Sequence, residues 1–115
     1  MIEKKIIHKH LASGRWFRFS LMEQLANVGT DVERAIRWRN EGELDDSKLA
    51  VERALELMDF TIADPKNKRR LKELLRVRAM LADYFMGINE FSFTDEFWQN
   101  YFYDFNYAAA LARGK

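Results

Sequence analysis

Apolar residues recur at helical spacing along most of this chain, and turn-forming residues interrupt them at only a few points. The 115 residues include one proline, Pro65, and five glycines. Four of the glycines, at positions 14, 42, 87 and 114, fall between the periodic segments. Such sparse interruptions predict long helices joined by short turns. Only residues 2–7 show an alternating pattern that would suit a strand.

The ends of the periodic segments carry capping signals. Ser20 and Glu23 have the spacing of a capping box at the start of the first long helix. Asp64 followed by Pro65 suits the N-cap and first position of the third helix, where the missing proline N–H costs nothing. These signals predict helices over residues 20–41, 46–63, 65–86 and 94–112.

Short connections make successive helices antiparallel neighbours, so we predict an all-α, up-down four-helix bundle with a short N-terminal arm. The length fits a single domain. We place the arm at residues 1–19 and the bundle at residues 20–115. The arm is either a short helix or an extended segment, and its aromatic residues Trp16, Phe17 and Phe19 predict that it docks on the bundle.

A spacing of about 100° per residue predicts which side of each helix enters the core. Gly29 lies at the edge of the apolar stripe of the first helix, where the missing side chain permits close approach of another helix. The predicted core face of the third helix consists of Leu71, Leu74, Leu75, Leu81, Ala82 and Phe85.

Arg78 interrupts that apolar face of the third helix. A buried guanidinium needs a well-placed carboxylate or carbonyl partner. We therefore predict that Arg78 is largely buried and forms an ion pair that fixes the helix register. The alternative is a ligand-binding arginine at one end of the bundle. The candidate carboxylate partners are Asp31, Glu52, Asp59 and Asp104.

Eleven of the sixteen aromatic residues fall between Tyr84 and Tyr107. Each ring can bury about 150–250 Å², which is more than one core-facing helical stripe can hold. On the fourth helix, Tyr103 and Tyr107 project away from the side that carries Trp98. On the second helix, Leu49 and Phe60 also lie off the core stripe. These four predicted interface residues favour a homo-oligomer or a protein partner over the alternative that residues 1–19 cover them.

The chain has 19 basic and 18 acidic side chains, so its net charge is +1. A net charge this small does not drive binding to nucleic acid or to an anionic membrane. A basic run nevertheless begins the third helix, and Arg69, Lys72 and Arg76 share its outward side. We favour a solvated surface or intersubunit ion pairs here. The alternative is weak nucleic-acid or anion binding by these three residues with Arg34 or Arg37, and with Arg78 as a further binding candidate.

No complete catalytic or metal-binding pattern occurs in the sequence. There is no cysteine, and His8 and His10 are the only histidines, too few for a zinc site or a nucleophile–histidine pair. Glu56 and Asp59 match only half of the Glu-x-x-Glu and Glu-x-x-Asp pattern of MazG-type pyrophosphohydrolases. We predict no catalytic residue, no metal and no cofactor, and we keep as an alternative a hydrolase in which Asp31 converges with these two carboxylates.

No apolar run approaches the roughly 20 residues of a membrane span. Residues 1–11 begin like a weak signal sequence, but His8, Lys9 and His10 interrupt the apolar run. The lack of cysteine suits a reducing compartment. We therefore expect a cytoplasmic protein without a membrane partner.

The run from Gln24 to Trp38, QLANVGTDVERAIRW, resembles a small bacterial and archaeal family of hypothetical proteins. The runs at 53–59, 70–75 and 83–90 extend the resemblance over about residues 16–112. It implies no activity and no site residue. In architecture the chain is also similar to HEPN-type bundles, which pair with nucleotidyltransferases or cleave RNA. Their ribonuclease signature needs a histidine after an arginine on a late helix, so only a noncatalytic binding version fits.

The sequence thus favours a noncatalytic interaction module that self-associates or binds a protein partner. A nucleic-acid or nucleotide binder that uses the basic helix face is the alternative.

Overall fold

The computed structural model describes residues 14–113, and within this range it contains four α-helices and no strand. Short 3-10 segments, Arg15–Arg18 and Pro65–Arg70, precede the first and third helices. The prediction of an all-α four-helix bundle is confirmed. The helices, numbered in chain order, are α1 (Leu21–Asn40), α2 (Leu44–Ala63), α3 (Leu71–Met86) and α4 (Asp95–Arg113).

The helix ends largely follow the local capping signals. The Ser20 hydroxyl accepts a hydrogen bond from the Glu23 backbone N–H at 3.2 Å, and the Glu23 carboxylate accepts from the Ser20 N–H at 3.0 Å. The Asp64 carboxylate accepts from the Lys66 N–H at 3.1 Å, with Pro65 in the first position. The third helix differs from the prediction, because the chain leaves Asp64 as a 3-10 segment and becomes α-helical only at Leu71.

Helices α1 and α2 form the central antiparallel pair. Near one end, the Ser47 hydroxyl donates to the Ala35 carbonyl at 2.7 Å. Near the other, the Gln24 side-chain amide donates to the Asp64 carboxylate at 2.9 Å. Helix α4 packs mainly against α1, and α3 packs mainly against α2. The helices therefore follow one another around the bundle in chain order, and α3 also meets α4 where the ring of Tyr84 lies 6.3 Å from that of Trp98.

Helix α3 buries a narrower face than the sequence predicted. Leu74, Val77 and Leu81 enter the core, whereas Leu71 and Leu75 stay 37% and 49% exposed. The prediction that Leu71 and Leu75 belong to the core was wrong. Because α3 lies at the edge of the bundle and packs mainly on α2, one narrow stripe is all that it can bury.

Helices α1 and α4 approach each other closely at Gly29. A Cβ atom added there would lie 2.6 Å from the Phe102 Cβ. Phe102 and its neighbour Trp98 are almost completely buried. The expected close approach at Gly29 is confirmed, and it lets the aromatic face of α4 enter the core.

We expect Gly29→Ala to destabilise the protein by about 1–3 kcal/mol, because α4 must move away from α1 to admit the methyl group. Helix propensity alone predicts the opposite, a gain of up to about 1 kcal/mol. Urea unfolding followed by circular dichroism measures the free energy of unfolding. Glu33→Ala, at an exposed position on the same helix, is the control, and a stabilised Gly29→Ala protein would contradict the close-packing argument.

Candidate interaction surfaces

A buried polar network closes the end of the bundle where the N-terminal arm meets α1 and α2. The Gln24 side-chain amide donates to the Trp16 carbonyl at 3.1 Å and to the Asp64 carboxylate at 2.9 Å. The Gln24 carbonyl oxygen accepts from the Asn67 amide at 2.8 Å. The Trp16 indole N–H donates to the Thr61 hydroxyl at 3.1 Å. This part of the arm is thus built into the core, and the polar groups of the network form hydrogen bonds with one another.

The ion pair of Asp64 and Lys66 belongs to the same network. Burial disfavours the charged carboxylate, but hydrogen bonds from Lys66 and Gln24 outweigh that effect and lower the pKa of Asp64. The Lys66 ammonium also donates to the Phe17 carbonyl at 3.2 Å. Lys66 therefore has a structural role, and it does not contribute to a free basic surface.

A second polar cluster lies where the last residues of α1 and α3 meet the first residue of α4. The Asp95 carboxylate accepts from the Arg39 guanidinium at 2.5 Å, from the Asn40 amide at 3.3 Å and from the Tyr84 hydroxyl. Arg39 also lies over the rings of Tyr84 and Phe85, at 5.7 and 5.9 Å from their centroids. Burial opposes the charge on Asp95, but the bonds from Tyr84 and Arg39 prevail and lower its pKa.

No pattern in the sequence indicates this cluster. Asp95 lies in the first turn of a helix, where acidic residues are common because they interact favourably with the helix dipole. An acidic residue at this position therefore suggests no further contact. Arg39 lies 56 residues away in sequence, and no periodic pattern connects the two positions. The cluster joins three helices, and we assign it a structural role.

Arg78 pairs with Asp59 of α2, one of its four candidate partners. Its Nε and Nη2 atoms donate to the two carboxylate oxygens at 2.5 and 3.2 Å. However, the side chains of Arg78 and Asp59 are 33% and 34% exposed. The prediction of a largely buried guanidinium was wrong, because α3 turns this residue toward the outer edge of its contact with α2. Such a pair contributes about 0.2–1 kcal/mol, far less than a buried one.

The predicted basic surface is smaller than the sequence suggested. Arg69, Lys72 and Arg76 are exposed, whereas Arg70 makes two hydrogen bonds to Glu73, at 2.8 and 3.1 Å. Arg34 and Arg37 line a groove of about 550 Å³ between α1 and α4, and its described lining includes no residue of α3. The structure therefore does not bring the two predicted sets of basic residues into one site.

The outer face of α4 carries an exposed aromatic ridge. Tyr103 and Tyr107 are 64% and 57% exposed, and their rings stack with centroids 6.5 Å apart and planes at 15°. Leu111, one turn further on, is also exposed. We call these three residues the tyrosine ridge. The described part of the arm does not cover it, since Trp16 is buried next to Thr61 of α2.

The two predicted interface residues of α2 differ in exposure. Leu49 is exposed, but Phe60 is half-buried and packs against the core. Further exposed large apolar side chains lie on α3, on α4 and in the connection between them, where Ile88 is 86% exposed.

The acidic residues do not form a metal site in the part of the chain that the structure describes. Asp31 and Glu56 are buried, Asp59 pairs with Arg78, and residues 14–113 contain no group of three metal-ligating side chains. His8 and His10 lie outside the described residues. The Asp31, Glu56 and Asp59 cluster required for a metal-dependent hydrolase is thus not found there.

The hydroxyl of Tyr101 has a strongly raised pKa. Burial and the neighbouring Glu73 charge raise the pKa of Tyr101 to about 12. The phenol consequently stays protonated at neutral pH, and it cannot serve as a general base there.

Comparisons with family models, curated proteins and solved structures find no match to this chain. Among the described helices, none has the length and apolar character needed to cross a membrane. A functional proposal consequently depends on the exposed surfaces.

We expect Asp95→Asn to lower the free energy of unfolding by about 1–2 kcal/mol at neutral pH, because it weakens charge-assisted hydrogen bonds. The folded-state pKa of Asp95 lies below its usual value of 3.8. Its contribution is therefore complete above that value and is lost as pH falls through the folded-state pKa. The wild-type and Asp95→Asn curves of stability against pH should converge in acid.

The matched control is Glu96→Gln, which removes the adjacent exposed carboxylate from the same helix end. Its effect should be smaller, since only the helix-dipole interaction is lost. Equal losses for the two variants at neutral pH would contradict a specific role for Asp95.

Proposed function

We propose that this chain is a noncatalytic helical-bundle protein of the cytoplasm that self-associates through the outer face of α4. The observation that supports this proposal is the tyrosine ridge. Positions 103, 107 and 111 are four residues apart and therefore form one straight row on the helix. Tyrosine suits an interface because its ring is apolar while its hydroxyl can still reach water or a polar partner.

Charge favours a second copy of the chain as the occupant of this face. The net charge of +1 produces little repulsion between copies. Arg34 and Arg37, with the single carboxylate Glu33 beside them, border the ridge on the α1 side, because they share the α1–α4 groove with Tyr103. Asp104 borders it on the α3 side, one turn after Tyr101, which lies near Glu73 of α3.

These edges are complementary under a two-fold rotation about an axis parallel to the ridge. That rotation brings the basic edge of one copy over the acidic edge of the other, as an isologous dimer requires. A stable interface buries about 800 Å² on each partner. The three ridge residues alone are too few for that area, so the proposed contact includes the α1–α4 groove.

We expect Tyr103→Glu combined with Tyr107→Glu to convert a dimer into a monomer, because the interface would bury like charges of both copies. Light scattering at micromolar concentration measures the mass, and circular dichroism checks that the helices remain. The control is Tyr103→Phe combined with Tyr107→Phe, which keeps the rings and should remain dimeric. A wild-type protein that is strictly monomeric across this concentration range would exclude self-association.

Nucleic-acid binding is the second candidate function, and the exposure of Arg69, Lys72 and Arg76 on one side of the chain favours it. With three phosphate contacts at most, the logarithm of affinity for single-stranded RNA should fall against the logarithm of salt concentration with a slope of about −2. Fluorescence anisotropy with labelled RNA measures this slope, and Arg34→Ala serves as a control outside the basic face. Tight, sequence-specific binding at physiological salt would rank this function above self-association.

A further inference from the structure

The side of α3 that faces away from the core carries a second exposed apolar surface. Leu71 and Leu75 lie one turn apart, and Met86 near the helix end is 59% exposed. Between them lie Ala79, which is exposed, and Ala82, which is partly buried against the core at the edge of this side. We call these five residues the α3 strip. It runs beside α2, because Arg78, three residues after Leu75, forms its ion pair with Asp59.

The strip leads into a hollow at the end of the bundle. The hollow has a volume of about 320 Å³, and its lining includes Leu44 and Val51 of α2 with Phe85 and Met86 of α3. From Leu71 to Met86 the strip extends about 23 Å at the helical rise per residue. Strip and hollow together form an elongated apolar surface with a concave end.

Positively charged side chains border this surface at both ends. Lys72 and Arg76 are exposed beside the two leucines on α3. Arg39 and Lys48 belong to the lining of the hollow, but the Arg39 guanidinium is already paired with Asp95. Along α2 the border is mixed, since the exposed Glu52 follows Lys48 by one turn. Asp83 lies on the same side of α3 as Arg76, seven residues further on, and its carboxylate accepts from the Glu90 N–H at 2.7 Å. The remaining cations, Lys48, Lys72 and Arg76, outnumber the carboxylates of Glu52 and Asp83, which favours an occupant with negative charge along its edges.

We propose that the α3 strip and the hollow bind an amphipathic helix of a partner protein, one with an apolar face and acidic flanks. Helices that bind in grooves present apolar residues at positions i, i+3 or i+4, and i+7, which matches the spacing of the strip. The exposed leucines distinguish this surface from a phosphate-binding one, because apolar side chains give a nucleic-acid backbone nothing to contact. A flat membrane surface would leave the hollow empty, whereas a helix side chain can enter it.

The probe is a fluorescein-labelled peptide of about 16 residues, long enough to span the strip. It has leucine at every third or fourth position and glutamate at the flanking positions, and it is used at concentrations where it is monomeric. We expect saturable binding by fluorescence anisotropy, with shifts of the Met86 methyl signal by NMR. The same peptide with lysine in place of glutamate should not bind.

Two sets of variants test the surface. Lys72→Glu combined with Arg76→Glu should weaken peptide binding by about tenfold or more, and Leu75→Ser should weaken it without changing charge. The matched control, Arg15→Glu combined with Arg18→Glu, makes the same charge change at two exposed positions of the arm and should leave peptide affinity unchanged. Circular dichroism checks the fold of each variant.

The proposal is rejected if the acidic peptide does not bind, or if the charge reversals on α3 and on the arm weaken binding equally. Binding to vesicles of phosphatidylcholine and phosphatidylglycerol without peptide binding would assign the surface to a membrane and also reject it. The variant with Tyr103→Glu and Tyr107→Glu should still bind the peptide, so a failure of self-association and a failure of this proposal are distinguishable.

Discussion

The side-chain amide of Gln24 is the interaction on which the arrangement of the other elements depends. This residue is fully buried, and a buried amide group left without a partner costs about 1–3 kcal/mol. Its hydrogen bonds to Trp16, Asp64 and Asn67 therefore hold the arm, α1 and the junction after α2 in one arrangement. Because the α1–α2 pair is fixed at this end, it can serve as the base on which the outer helices pack.

The two outer helices are attached to this pair in different ways, and the difference explains their exposed surfaces. Helix α4 packs directly against the backbone of α1 at Gly29, where Phe102 fills the contact. Helix α3 is held by a narrow apolar stripe, by the partly exposed Arg78–Asp59 pair and, at its last turn, by the hydrogen bond from Tyr84 to Asp95 of α4. Each outer helix thus buries one side only, and the apolar side chains on its other side remain exposed to solvent.

Local signals in the sequence predicted the helices. Contacts between residues that are distant in the chain could not be predicted from it. Ser20 defines the start of α1 because its capping partner is three residues away. Arg78 was recognised as needing a carboxylate, but four candidates were open and only the fold selects Asp59. Leu75 was assigned to the core because its helical spacing fits a core stripe, and spacing alone does not reveal how wide a face the neighbouring helices can cover. For the same reason the tyrosines of α4 could be identified as lying off the core stripe, whereas the extent of the α3 strip could not.

The chemistry of the two surfaces suits different occupants. The tyrosine ridge has a basic border on one side and an acidic border on the other, so a second copy of the chain complements it. The α3 strip is bordered mainly by cations, so two copies brought together there would repel each other. A dimer formed through α4 would display two α3 strips, because the ridge contains no residue of α3. A partner with two acidic helices could then bind both strips. If a short flexible linker joins the two helices, binding of the first raises the effective concentration of the second to about the millimolar range. Self-association would in this way strengthen a weak helix–groove contact without any additional contact within the groove.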